Sequence, residues 1–322
     1  MQNNKLDYNE LILSSGGIKG GIMIGAIEYL LNIHNLDNFK YLTGCSIGSF
    51  ICFMLCIGYT PKELYDIFVN VDEKILLNIN INNLLNDFGL DDFTNMINFF
   101  KAMMYIKETD YNITFKELYI KTGKVLTVVV TNISQNCIEY FNNDLTPDTA
   151  ILNAIRMSIS IPILTTPVNY NNNLYVDGAL LDPYPYNFNK NTVKFGIWVL
   201  GRREYDIIFS DIKNPNKNNI TTFDSYFKEL IMTLWIANIR YEYKTIPSNT
   251  VIIIDDNNTD GFNLKLDRET KIKFFEKGYT ECEIFFFKLK KNNYLEKKYY
   301  QLWKQKSLKE QNSLKEQKSL KV

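Results

Sequence analysis

The sequence predicts an α/β fold on a mostly parallel sheet, and two observations carry that prediction. Twice near its start, an apolar strand-like run breaks at glycines and passes straight into a helical pattern. Further along, three runs rich in β-branched residues are continuously apolar, not alternating, as strands buried on both faces are.

The first unit is Leu11-Ile12-Leu13, ending in Ser14-Ser15-Gly16-Gly17 and followed by a helical stretch from Gly20 to about Asn32. The second is Tyr41-Leu42-Thr43, which breaks at Gly44-Cys45-Ser46-Ile47-Gly48 and enters the apolar run Ile47–Tyr59. Strand, tight turn and helix in succession is the grammar of βαβ units. The later strands are Lys124–Thr131, Phe195–Leu200 and Val251–Ile254; Phe223–Tyr243 and Arg268–Phe287 are long enough for helices. From 61 to 110 the chain reads as a helical, cap-like insertion. There a helix beginning near Asp91 puts Phe93, Met96, Ile97, Phe100, Met103 and Met104 on one face, suited to the core or to lipid. Residues 1–290 read as one domain. Residues 291–322 form a Lys-rich tail holding the repeat SLKEQN, SLKEQK, SLKV.

Composition narrows the function. The chain has 322 residues, 46% of them apolar, and 36 basic against 36 acidic side chains. A balanced charge gives no field for nucleic acid. Five cysteines without paired spacing argue against a disulfide framework and for a reducing cytosol. The polar N-terminus has no signal-peptide pattern. The longest apolar run, Ile47–Tyr59, is shorter than the roughly 18 residues that span a bilayer. The expectation is a cytoplasmic protein or one peripheral on membranes.

Chemistry concentrates at the two glycine turns. Gly44-Cys45-Ser46-Ile47-Gly48 fits G-x-S-x-G, in which a serine stands clear of the backbone between strand and helix. Its base is not obvious, because His34 is the only histidine and precedes the serine. In α/β-hydrolases the triad histidine follows the serine, so His34 reads as an exposed loop residue. A carboxylate or a lysine must then act. Asp177 stands out at a strand end, in Tyr175-Val176-Asp177-Gly178-Ala179. A carboxylate is a weak base for a hydroxyl, so such a site leans on oxyanion donors. The loop Ser14–Gly21 can turn several N–H groups toward one anion; alone, it also suits a phosphate.

Taken together, LILSSGGIKG, GCSIG, AIRMSISIPILTTPV and LYVDGALLDPYP, in that order, resemble the patatin-like phospholipase family. Arg156-Met157-Ser158-Ile159-Ser160-Ile161-Pro162 matches that family's R-x-S-x-S-x-P segment, and the similarity runs roughly from residue 10 to 285. The resemblance implies a three-layer α/β/α sandwich and a Ser-Asp dyad, with Ser46 as nucleophile and Asp177 as base. It implies an oxyanion hole at Gly16, Gly17 and Ile18, supported by Lys19, Gly20, Gly44, Gly48 and Gly178. It implies cleavage of fatty-acyl esters in membrane or micellar lipid, of phospholipase A type, through an acyl-enzyme and with no metal or other cofactor. Acyl transfer on the same dyad and a non-catalytic lipid-binding module remain alternatives. Two positions depart from the family pattern. Ser15 replaces a glycine and would be strained at positive φ, and Asp182 replaces an asparagine, placing a second carboxylate near Asp177.

Overall fold

A computed structural model describes residues 8–209, 220–243, 246, 247, 249–255 and 266–291. The first half of the chain contains β1 (Glu10–Leu13), α1 (Gly20–Ile33), β2 (Tyr41–Cys45), α2 (Ile47–Cys56), α3 (Pro61–Asn70), α4 (Ile81–Asp87), β3 (Gly89–Asp91), α5 (Thr94–Ile106), α6 (Phe115–Thr122), β4 (Val125–Asn132) and β5 (Cys137–Phe141). The second half contains α7 (Ile151–Ser158), β6 (Ile163–Thr165), β7 (Val168–Tyr170), β8 (Asn173–Asp177), β9 (Lys194–Gly201), α8 (Arg202–Phe209), α9 (Phe223–Glu242), β10 (Thr250–Asp255) and α10 (268–291).

Strands β10, β9, β1, β2 and β4 lie side by side in that order and pair in parallel. β8 pairs antiparallel with β4 and β7 with β8, and β5 pairs antiparallel with β4. Side chains alternate across a pleat, so a strand covered on both faces needs apolar residues at every position. In β9, Phe195, Ile197 and Val199 join a large core with α1, α2, α5, α7 and α10. Trp198 and Leu200 face the other way, into a second core with Ile208, Ile236 and Ile239 of α8 and α9. Every residue of β4 is buried. Helices on both faces make three layers, as the family resemblance implies.

The 61–110 stretch is more mixed than its sequence suggests. Short β3 lies within it and pairs in parallel with β6. Its last helix begins at Thr94, because Asp91 belongs to β3 and its carboxylate accepts the Phe93 N–H at 2.6 Å. The apolar face of α5 meets protein: Phe100, Met103 and Met104 are buried, and Phe100 stacks on Phe50 with ring centroids 4.1 Å apart. Among the described residues no helix is long and apolar enough to cross a membrane. The five cysteines are unpaired. The repeat in the tail lies outside the described residues.

Candidate active site

The nucleophile turn is built by backbone contact. Ser46 sits at φ 53°, ψ −126°, between β2 and α2. A non-glycine residue there is held against its own preference by what surrounds it. The surroundings are close: a Cβ on Gly44 would lie 2.5 Å from the carbonyl of Gly48, and one on Gly48 would lie 2.4 Å from the carbonyl oxygen of Ser14. Both glycines are therefore required by approach, and the second locks the elbow to the glycine-rich loop.

That loop leaves β1 at Ser14, whose N–H donates to Ile197 O at 3.1 Å. Ser15 donates its N–H to Pro183 O at 2.8 Å. Its φ is not positive, so the strain anticipated for a serine there does not arise; Gly17 takes the left-handed conformation instead, at φ 53°. A 3₁₀ turn, Gly17–Lys19, then opens into α1 at Gly20. Among the described residues, the N–H groups of Gly16, Gly17 and Ile18 have no acceptor within hydrogen-bonding distance. The loop packs on the elbow, since a Cβ on Gly20 would come 2.8 Å from the side chain of Ile47. The Lys19 ammonium is buried and meets Asp255 at 3.7 Å, at the end of β10.

Register brings Asp177 to Ser46. Cys45 is paired with Val129 of β4, and Asp177 with Val130. β5 pairs with β4 at both rungs. A strand has two edges, so β2 and β8 share the other one. They meet there end to end, β2 arriving in parallel and β8 antiparallel. The Ser46 Oγ donates to Asp177 Oδ2 at 2.7 Å, and both residues are 5% exposed. Asp177 Oδ1 accepts the Ala179 N–H at 2.8 Å. Gly178 between them packs on β4, where a Cβ would lie 2.3 Å from Val129 O.

Burial pushes the Asp177 carboxyl up to about 7, although the bonds from Ser46 and Ala179 act in the opposite direction. Removing a carboxylate from water disfavours its charge more than two hydrogen bonds restore it. A group titrating there is a better base at neutral pH than an ordinary aspartate. Asp182, the second carboxylate, accepts the Tyr140 hydroxyl at 2.8 Å. His34 is half-buried, not exposed, and caps the far end of α1, with its ring 5.4 Å from that of Tyr8. It takes no part in the arrangement around Ser46.

Residue chemistry alone does not single out three further partners of the dyad. Ser158 Oγ accepts the Ser46 N–H at 2.9 Å, Ser160 O accepts the Asp177 N–H at 2.8 Å, and Thr131 Oγ1 donates to Asp177 O at 3.0 Å. The repeated serines of R-x-S-x-S-x-P are the available signal. No group of three or more His, Cys, Asp or Glu residues suited to a metal occurs among the described residues.

Comparison with known proteins identifies the family and the fold. A family model described as patatin-like phospholipase matches residues 11–188. The chain is 32% identical over 297 residues to "Probable lipid hydrolase 463L" of Invertebrate iridescent virus 6, covering 89% of this chain and 90% of that protein. It is 28% identical over 278 residues to "Uncharacterized protein R571" of Acanthamoeba polyphaga mimivirus, covering 83% and 90%. Among solved structures it is similar to VipD from Legionella pneumophila, with a TM-score of 0.54 and 16% identity. That match covers 86% of this chain and 66% of the VipD chain, so it speaks for the fold.

Proposed function

Since this chain belongs to the patatin-like phospholipase family, we propose that it is a serine esterase, a lipid acyl hydrolase of phospholipase A type, working through a Ser46–Asp177 dyad. The observation that carries the reading is the 2.7 Å bond from Ser46 Oγ to a buried carboxylate whose pKa is raised to about 7.

In the reaction, Asp177 takes the Oγ proton as Oγ attacks the acyl carbonyl. The negative oxygen of the tetrahedral intermediate is met by the unspent N–H groups of Gly16, Gly17 and Ile18, donors of a kind each worth about 10²–10³ in rate. Collapse breaks the ester bond, and the leaving alcohol takes the proton from Asp177. Water then attacks the acyl-enzyme, with Asp177 as its base, and frees the fatty acid and Ser46. Lys19 holds the loop through Asp255.

The substrate is presented in a membrane or micelle, and α9 supports contact with such a surface. Phe223, Tyr226, Leu230, Leu234 and Tyr241 recur at helical spacing and are exposed. The same helix is tied to the Asp177 turn, where the Asn238 amide donates to Leu181 O.

The test is fatty-acid release from mixed phospholipid and triglyceride vesicles, followed by mass spectrometry, with an acceptor lipid added in one arm. Wild-type protein should release fatty acid, and Ser46→Ala and Asp177→Asn should not. Release that persists in Ser46→Ala removes the dyad; acylated acceptor as the main product makes the enzyme a transferase.

A further inference from the structure

The turn that follows α7 touches both members of the dyad. Ser158 is the last residue of α7 and is fully buried. Its Oγ lies 2.9 Å from the Ser46 amide nitrogen and accepts that N–H. Two residues on, the Ser160 carbonyl accepts the Asp177 N–H at 2.8 Å. The turn is itself held. The Ser160 hydroxyl donates to Arg156 O at 2.6 Å, and the Arg156 guanidinium donates to Ser160 Oγ. The same guanidinium donates to Thr166 O and Thr166 Oγ1, both at 2.8 Å, and lies 4.4 Å over the Phe93 ring.

The Ser46 amide needs such a partner. Ser46 is the N-cap of α2, so its N–H enters no helical ladder, and its positive φ makes the peptide plane costly to hold. With Oγ of Ser158 gone, a buried N–H is left unpaired and the plane is free to turn. The Ser46 hydroxyl turns with it and leaves Asp177.

We propose that Ser158 is a positioning residue for the dyad: with the Ser160 carbonyl it forms a single brace that sets where Ser46 Oγ stands against Asp177. The proposal rests on the Ser–Asp reading above. A displacement near 1 Å at a reacting atom costs about 10²-fold in rate.

The experiment measures labelling of the full chain by a fluorophosphonate, which phosphonylates an activated serine without a lipid substrate. Fatty-acid release (kcat and KM) and thermal melting are measured alongside for wild type, Ser46→Ala, Ser158→Ala and Ser158→Cys. The cysteine fills the place of the hydroxyl with a slightly larger group that accepts a hydrogen bond weakly, so it carries the test if the alanine variant does not fold. Both Ser158 variants should label roughly 10- to 100-fold more slowly than wild type. Their kcat should fall in parallel, with KM within about twofold and a fall of only a few degrees in melting temperature, which leaves the protein folded at the assay temperature. Wild-type labelling rates in the Ser158 variants overturn the brace and leave the dyad standing, as does a loss confined to KM. Wild-type protein that labels no faster than Ser46→Ala overturns the dyad, and the brace falls with it.

Discussion

On the Ser46 side of the site, backbone is packed on backbone: Gly44 against Gly48, and Gly48 against the Ser14 carbonyl. On the Asp177 side Gly178 packs on the Val129 carbonyl in the same way, but Asp177 itself hangs on hydrogen bonds, from Ala179 to the carboxylate, from Thr131 to the carbonyl, and from the Asp177 amide to Ser160. Apart from the bond of its amide to Ser158, the nucleophile is thus held by contacts that cannot yield, and the carboxylate by bonds that can be removed one at a time. The two kinds of hold should therefore fail differently under substitution. Changes at the packed glycines should take the fold with the activity, whereas changes to the hydrogen bonds should separate the two.

The largest effect should come from Gly48→Ala. The new methyl meets two main-chain carbonyls, of Ser14 and Leu13, and neither is the end of a flexible side chain. Overpacking of this kind costs about 3 kcal/mol, so the melting temperature should drop by about 5 °C and fatty-acid release should vanish with it. Gly58 provides the control. It has φ 93°, and a Cβ there would have nothing within 4 Å, so Gly58→Ala should cost only about 1 kcal/mol and leave activity intact. Equal losses in the two variants would show that close approach at the elbow is not what the glycine serves.

The same contrast explains what can be read from the sequence. A backbone contact that excludes a Cβ leaves glycines at fixed places, so Gly44 and Gly48 are legible, and a left-handed turn does the same at Gly17. The parallel strands are legible because burial on both faces demands unbroken apolar runs, as in Val125–Asn132. The hydrogen bonds that hold the dyad leave little trace. Ser158 lies 112 positions from Ser46, and Thr131 lies 46 from Asp177. A hydroxyl that meets a distant amide or carbonyl imposes no pattern on its neighbours. β5 and β7 escape a sequence reading for a related reason: they are short and half-exposed, so mixed residues suffice. β3 escapes because three residues inside a helical stretch carry no period.

A second, intermediate effect should appear with pH. Asp177 works as a base only when ionised, and burial raises its pKa to about 7. Activity should therefore rise through pH 7 and fall about tenfold for each unit below it. Stability should run the other way. The folded pKa lies above the ordinary carboxyl value of 3.8, so between the two the folded chain holds a proton that the unfolded chain has released. That stabilisation is complete below about pH 4 and is lost as pH rises through 7. Asp177→Asn should accordingly be inactive yet melt at a higher temperature than wild type at pH 8, with the advantage gone at pH 4. A variant less stable than wild type at pH 8 would mean that the carboxylate is anchored more by its hydrogen bonds than it is penalised by burial.

The smallest effect should come from Thr131→Val, which keeps the shape and removes one hydroxyl. Its bond at 3.0 Å is to the Asp177 main chain, not to the carboxylate. A neutral hydrogen bond of this kind contributes about 1 kcal/mol net, so the melting temperature should fall by only a few degrees. The Asp177 amide keeps its bond to Ser160 and the carboxylate keeps its bond from Ala179, so the base loses one restraint of several. The expected outcome is a severalfold loss in kcat with the pH midpoint unmoved, measured by fatty-acid release between pH 6 and 9. A midpoint that shifts would show that Thr131 shapes the surroundings of the carboxylate as well as its place. A loss as deep as that of Gly48→Ala would erase the distinction between the two kinds of hold, because a single removable bond would then matter as much as a contact that cannot yield.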